Sequence, residues 1–496
     1  MDNPPQSASK STLPEPRVEV RSGDTRTVTG ADRSGGSAAP RAFSPGDVGD
    51  GLTHEDLDRA RDRLAVERAR RVGTHRSLLQ RLRPLWLLVG PGILVFLSEN
   101  DAPSMLSYAA TGARYGIGFF LPFVLVTFLA AFVVQEMTVR LGAVTHRGHA
   151  ELIFDRFGRF WGRFAMGDLM VGNFLTLVTE FIGIRAGLGF FGVPPLVAVG
   201  GAMLLVCGVI LTPRYWTWER IALGLAAFNG LFVPAALLAH PQWGAVGHAL
   251  LTWSPVPAEG LVTPNTILLI MSNIGAGVTP WMLFFQQSAV VDKGLQGGDI
   301  RAGRVDTLIG TLAAAVFGMA AIVATAPLAA HGINASDFEA AQFAEALQPL
   351  IGRVGATLFA LGIFEAGLLA AITIATSSAY AFGEVLQTPH SLNRPLGEAR
   401  SFYGVLVLSA CAAGALVLIP HAPLTYIVLL VNVIAVLAMP PALLFLVLLV
   451  NDRELMGVHV NGWWANLGAI TVTGLLILAG VVYGLVTVFP TLLGGR

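Results

Sequence analysis

Several acidic side chains of this sequence fall inside apolar runs long enough to cross a bilayer: Glu99, Asp101, Glu136, Asp168, Glu180 and Glu365. A charge in hydrocarbon is costly, so such groups pair with one another or line water. Two of them share one segment, Ser98-Glu99-Asn100-Asp101-Ala102-Pro103-Ser104, in the middle of its run. A second run is interrupted by Gly275-Ala276-Gly277-Val278-Thr279-Pro280. Proline removes a helical hydrogen bond and clashes with the preceding turn. Carbonyls freed in this way are tolerable in lipid only where they line a cavity or hold something. Helix breaks at Pro103 and Pro280, one of them acidic, therefore point to a binding site at mid-membrane. Acidic side chains there would repel an organic carboxylate. Enzyme chemistry has no support, since the sequence lacks a phosphate-cradling glycine loop, an H-E-x-x-H pair and a nucleophile elbow. Cys207 and Cys411 sit in apolar runs and read as buried thiols, neither a disulfide nor a metal site.

The elements that must position these residues are membrane helices. Of 496 residues, 54% are hydrophobic and 13% charged, about half the ~25% charge of a soluble domain. The charge is concentrated in residues 1–84, which carry 27 of the 64 charged side chains. Net charge is zero, which gives no sign of nucleic-acid binding. Residues 1–52 are rich in Ser, Pro, Gly, Asp and Arg and read as a disordered cytoplasmic tail. Residues 53–84 read as a charged cytoplasmic helix and linker. No signal peptide is expected, as the first long apolar stretch begins near Leu85. At about 20 residues per crossing, eleven spans follow: 85–113, 118–141, 160–186, 190–212, 217–239, 264–291, 305–329, 347–383, 402–420, 424–450 and 465–489. With the N-terminus inside, 13 of the 17 Lys and Arg after residue 84 lie at or beside cytoplasmic loops. That asymmetry places the N-terminus in the cytoplasm and the C-terminus outside a plasma (inner) membrane. Five spans invert the chain, so spans 1–5 (85–239) and 6–10 (264–450) form inverted repeats, with helix 11 (465–489) appended. Transporters built in this way bind substrate where interrupted helices meet.

The residues also resemble a known family. Gly90-Pro91-Gly92 is similar to a G-P-G opening of helix 1, and Asp101-Ala102-Pro103-Ser104 falls on a D-P-G-N. Gln135, Arg140-Leu141-Gly142 and Val144-Thr145 resemble Q…R-L-G-x-V-T, and Glu180-Phe181-Ile182-Gly183 resembles E-V-I-G. Ala276-Gly277-Val278-Thr279-Pro280 resembles A-T-V-M-P, followed by Ser288-Ala289 for S-A. Over roughly residues 85–450 this looks like the natural-resistance-associated macrophage protein (NRAMP) family of divalent-metal transporters. The resemblance implies an all-α LeuT-type fold of eleven helices with a 5+5 inverted repeat and broken helices 1 and 6.

It also implies a metal site. The family's metal-binding Asp is kept as Asp101, its Asn falls on Ser104, its Met on Thr279 and its helix 10 Gln on Asn432, with carbonyls near Ala276 beside them. A hydroxyl thus replaces the soft thioether, and hard oxygen donors suit Mg²⁺, Ca²⁺ and Mn²⁺. This pattern resembles the NRAMP-related magnesium-transporter branch. Met282, one turn further, would restore a sulfur if the register moved. The family's proton-route Asp falls on Leu177, and its histidine positions read Trp281 and Gln286. All ten histidines lie in the tail or loops, so no histidine relay is expected. Glu180 either pairs with Arg185 or acts as a residual proton site. Glu99, beside Asn100, either charges the cavity mouth or faces water. Glu365 replaces a small or apolar residue and its role is open, while Glu136 and Arg140 should pair on one helix face. The expected function is divalent-cation transport, Mg²⁺ or Mn²⁺, by alternating access without obligatory proton coupling. The metal is cargo and no cofactor is implied; the partners are the cation and the bilayer, and the oligomeric state is open. Competing readings are a proton-coupled transition-metal importer, an organic-solute carrier of the same fold, and a metal sensor without flux.

Overall fold

A computed structural model describes residues 90–488, apart from positions 213, 262, 334, 336, 337, 339 and 420–423. The expected tail (1–52), the charged helix (53–84) and the start of span 1 lie outside the described residues. Within them the chain is helical, with no strand.

Span 1 is two helices, α1 (Pro91–Glu99) and α2 (Ala102–Tyr115). Then come α3 (Phe120–Thr145), α4 (His149–Phe157), α5 (Arg159–Gly189) and α6 (Pro195–Ile210). α7 (Tyr215–Ala226) and α8 (Phe232–Leu238) are joined by a 3₁₀ turn, Ala227–Leu231. α9 (Trp243–Thr252) crosses the following loop. Span 6 is again split, into α10 (Pro264–Gly275) and α11 (Pro280–Lys293). α12 (Ile300–Ala330), α13 (Ala340–Leu386), α14 (Arg400–Val417), α15 (Leu424–Val450), the short α16 (Arg453–Met456) and α17 (Trp463–Val488) complete the chain. Nine helices or helix pairs among the described residues are long and apolar enough to cross a membrane. With the shorter α6 and the split α1–α2 they occupy the eleven expected spans. Leu204, Leu408, Ile470 and Leu478 are exposed on α6, α14 and α17, facing outward as lipid contacts require.

Four elements depart from the sequence-based expectation. Span 5 is not continuous. Pro234 has no N–H to offer the carbonyl of Gly230, and the Asn229 side chain leaves the helix to bond elsewhere, so the backbone tightens into the 3₁₀ turn. α13 is bent at Gly352, whose φ of 75° is left-handed and favours glycine. α4 and α9 are helices in segments expected to be loops.

The start of α1 is held from outside its own sequence. α12 packs along α1, α2 and α3. Its Asp306 accepts from the Gly90 and Gly92 amides, each at 2.7 Å. These are among the donors that a helix N-terminus leaves without partners. A Cβ at Gly92 would collide with the Thr307 backbone, so glycine lets α1 lie this close. Lys293 Nζ bonds Glu219 at 2.8 Å, fully inside the protein, and Tyr215 donates to the same carboxylate at 3.1 Å. Glu136 pairs with Arg140 at 3.1 Å, as the i,i+4 spacing predicts, and also with Arg304 at 2.6 Å.

Two predictions follow from this packing. Asp306→Ala should cost about 1–2 kcal/mol, the usual range for a lost N-cap acceptor. It should speed hydrogen exchange across residues 91–99 while leaving α12 protected. The second concerns His149 on α4, which is fully buried, bonds Gln287 Oε1 through Nδ1 at 3.0 Å and sits edge-on to Phe284. Burial pushes its imidazole down to about 4. The unfolded chain therefore binds this proton more readily, and stability should fall as pH drops from about 6.5 to 4. Melting temperatures of the wild type and His149→Gln should converge above that window and separate within it.

Candidate functional site

The two breaks are encoded locally. Asp101 is the N-cap of α2: its Oδ1 accepts from the Ser104 amide at 2.8 Å, with Pro103 in the first turn. Thr279 is the N-cap residue of α11 with Pro280 at its first position. Side chains from other helices satisfy what remains. Glu180 on α5 accepts from the Ala102 amide at 3.1 Å, Tyr108 donates to the Ala276 carbonyl at 2.9 Å, and Asn100 donates to the Ala314 carbonyl at 3.0 Å. Thr279 Oγ1 donates to Glu99 Oε2 at 2.8 Å, a direct bond between the two breaks. Gly275 has no room for a Cβ because the Asn432 carbonyl fills that space, which seats α15 against the end of α10.

The sequence-derived residues are thus brought together, with corrections. Asp101, Ser104, Ala276, Thr279 and Asn432 all line the junction of the breaks, and all are buried. Glu99 is neither at a cavity mouth nor in water; it is completely buried and reaches across to Thr279. The sequence shows its charge but not its direction. Glu180 does not pair with Arg185, whose guanidinium bonds the Val417 carbonyl at 3.1 Å. One helical turn separates them in sequence, but Glu180 turns inward to the exposed amide of α2. Its bond to the Ala102 amide sets Glu180 beside Asp101. Glu365 on α13 lies 3.5 Å from Asn229 Nδ2. Cys207 and Cys411 are half-buried free thiols facing each other between α6 and α14, a proximity the sequence does not reveal.

Buried polar atoms nearly always find a partner. Here Ser98 Oγ, Glu99 Oε1, Asn100 Oδ1, Ser107 Oγ and Glu180 Oε1 have none, and all five border the α1–α2 break. Oxygen atoms left over after the backbone is satisfied are what a cation or its water shell would use. Among the described residues no three His, Cys, Asp or Glu side chains converge as a metal cage. The donor set is instead one or two carboxylates with hydroxyls, amides and carbonyls, which fits a hard cation that keeps part of its water. A cavity between α5, α11 and α15, lined by Asp168, Asn173, Thr176 and Ile434, ends at Thr279. Sequence reading passed over Asp306, Glu219 and Asn229, though the first two carry the signal used elsewhere: an acidic residue within an apolar span.

If Glu180 acts as a cap, Glu180→Leu should destabilise the protein by about 1–3 kcal/mol, the cost of a buried unpaired amide. Glu180→Gln, which keeps an acceptor, and Arg185→Met, which leaves the cap intact, should cost much less. Thermal unfolding in detergent checks all three.

Comparison with known proteins agrees with this architecture. The sequence profile of the family described as natural resistance-associated macrophage protein-like matches residues 92–486. The chain is similar to the divalent metal cation transporter MntH 1 of Pseudomonas aeruginosa, at 28% identity over 81% of this chain and 91% of the relative. In three dimensions it resembles the manganese transporter of Eremococcus coleocola, with a TM-score of 0.63 at 19% identity, over 83% of this chain and 88% of that one. It also resembles MhsT in complex with L-phenylalanine, with a TM-score of 0.50 at 15% identity, covering 79% and 97%. The fold is the LeuT-type arrangement, and no enzyme stands among these relatives. The chain belongs to the natural resistance-associated macrophage protein-like (Nramp) family of multi-pass membrane transporters.

Proposed function

We propose that this protein carries a divalent metal cation, Mg²⁺ or Mn²⁺, through the membrane by alternating access, without obligatory proton coupling. Asp101 supplies the charge. Ser104, Thr279, Asn432 and the Ala276 carbonyl supply neutral oxygens, some of them through water. The observation that carries this reading is the hydroxyl of Thr279 at the α10–α11 break, bonded to Glu99 at 2.8 Å. An all-oxygen junction gives no advantage to a soft transition metal. The MntH relative and the Eremococcus coleocola protein are named for divalent metal and manganese transport, which supports the substrate class. Absence of histidine from the proposed site and of a second helix 3 carboxylate at Leu177 supports transport driven by the ion gradient and membrane potential. That potential contributes about 2.3 kcal/mol per charge per 100 mV. The Lys and Arg distribution supports an N-terminus in the cytoplasm and a C-terminus outside, in the inner membrane.

One observation favours a second reading, proton-coupled import. Glu180 bonds the Ala102 amide, next to Asp101, and two buried carboxyl groups side by side favour one of them holding a proton. A metal arriving at Asp101 would displace it.

Uptake of Mg²⁺, Mn²⁺ and Ca²⁺ by the purified protein in proteoliposomes, with internal pH recorded together, separates the two. The expected result is Mg²⁺ and Mn²⁺ uptake without acidification, abolished by Asp101→Ala. Intact flux in that variant overturns the site. A strong inward proton current accompanying Mn²⁺, lost in Glu180→Gln, overturns the uncoupled mechanism.

A further inference from the structure

A cavity of about 390 Å³ lies between α3, α10 and α17, and no acidic residue borders it. Its volume falls in the range of small-molecule sites, roughly 300–1,000 Å³. Each helix contributes one stripe: Thr127 and Ala130 on α3, Ile270 and Ile274 on α10, Leu475 and Ala479 on α17, three or four residues apart. Thr127 is the one polar residue of the lining, and its hydroxyl is already bonded to the Phe123 carbonyl at 2.9 Å. Water needs polar partners to occupy a cavity, and apolar ones stay dry. An empty cavity, however, forfeits the dispersion contacts of every atom that lines it.

The surroundings identify what fills it. At its edge Val126, Leu475 and Leu478 are exposed, and in a membrane-spanning chain an exposed apolar edge meets hydrocarbon. The cavity runs the length of α10, from Leu261 before its first turn to Val278 beyond its last. Twelve residues of helix measure about 18 Å, close to the ~15 Å depth of one leaflet of a bilayer core. At the Leu261 end the Phe123 ring stacks on Phe119 at 5.6 Å, and Phe119 meets Trp253 at 5.6 Å. Such aromatic groups sit at headgroup level. The groove therefore begins where a headgroup lies and ends at the depth an acyl chain reaches. A helix of a second chain, about 10 Å across, needs several times the available volume over the same length.

We propose that this groove holds one acyl chain of a membrane phospholipid, and that the chain braces the α10–α11 break. Val278, at the inner end of the groove, belongs to the unwound segment that also carries the Ala276 carbonyl and Thr279. Gly277 in the same segment lies against the Thr127 methyl, where a Cβ would come within 2.7 Å. A tail in the groove thus presses on the backbone next to the bond from Thr279 to Glu99. Neither the identity of the transported metal nor its coupling enters this inference.

Full-length protein is reconstituted in phosphatidylcholine nanodiscs containing a phosphatidylcholine with a diazirine on one acyl chain, illuminated, and mapped by peptide mass spectrometry. Labelling of Val278 and Ile274 should exceed that of Leu204 and Leu408, which are exposed on α6 and α14, at least fivefold. The double variant Ala130→Phe/Ala479→Phe, which fills the groove, should remove that excess and leave Leu204 and Leu408 unchanged. Labelling of Val278 no stronger than that of Leu204 and Leu408 in the wild type overturns the site, whether or not the filled variant folds; so does an excess that persists in a folded filled variant. The bracing is read by hydrogen exchange over residues 274–279 of delipidated protein in detergent. Added phosphatidylcholine should slow it at least threefold in the wild type, and glycerophosphocholine, the headgroup without tails, should not. Equal exchange with and without phosphatidylcholine overturns the bracing role.

Discussion

Inside a bilayer every backbone N–H and C=O must find its partner within the protein, because no water is there to supply one. A helix interrupted at mid-membrane violates that condition several times over, as the α1–α2 and α10–α11 breaks do. Each is closed by side chains. Asp101 and Glu180 take the first amides of α2, Tyr108 takes the Ala276 carbonyl, and Asp306 takes the first amides of α1. Asp101, Glu180 and Asp306 are therefore first of all helix caps. A carboxylate has more lone pairs than a cap uses. Glu99 and Glu180 each keep an oxygen without a partner, as do the side chains of Ser98, Asn100 and Ser107 beside them. Closure of the break and the unsatisfied oxygens beside it come from neighbouring residues.

The same arrangement makes α1 separable. It is a nine-residue helix held at its start by Asp306 and at its end by the Glu99–Thr279 and Asn229–Leu97 bonds. Its side chains are packed and buried along its whole length. Each tether comes from a different element: α12, α11 and the turn between α7 and α8. Alternating access needs an element that can change partners without unfolding. A short half-helix fixed by a few polar contacts meets that need better than a continuous span would.

The donors proposed at the junction are oxygens. Where a thioether would favour a soft metal, Thr279 presents a hydroxyl and uses it to bind Glu99. The missing cage of three acidic or histidine ligands among the described residues has the same sense. A hydrated cation needs few direct ligands.

Much of this was legible in the sequence because membrane helices are written in runs of apolar residues and their breaks in Pro, Gly and acidic side chains. The eleven spans, the splits at Pro103 and Pro280 and the Glu136–Arg140 pair could be read from spacing alone, since each depends on residues near one another in the chain. The break in span 5 was less visible: it rests on Pro234 and Asn229 within a strongly apolar run, and their effect depends on what Asn229 finds across the helix interface. The direction of each buried acid was decided only by tertiary structure. Glu180 lies five residues from Arg185 but 78 from the amide it caps, and Glu99 reaches 180 residues along the chain to Thr279. Sequence registers that a charge has been placed in the membrane. The packing of helices distant in the chain determines which unsatisfied backbone group, hydroxyl or cation that charge will meet.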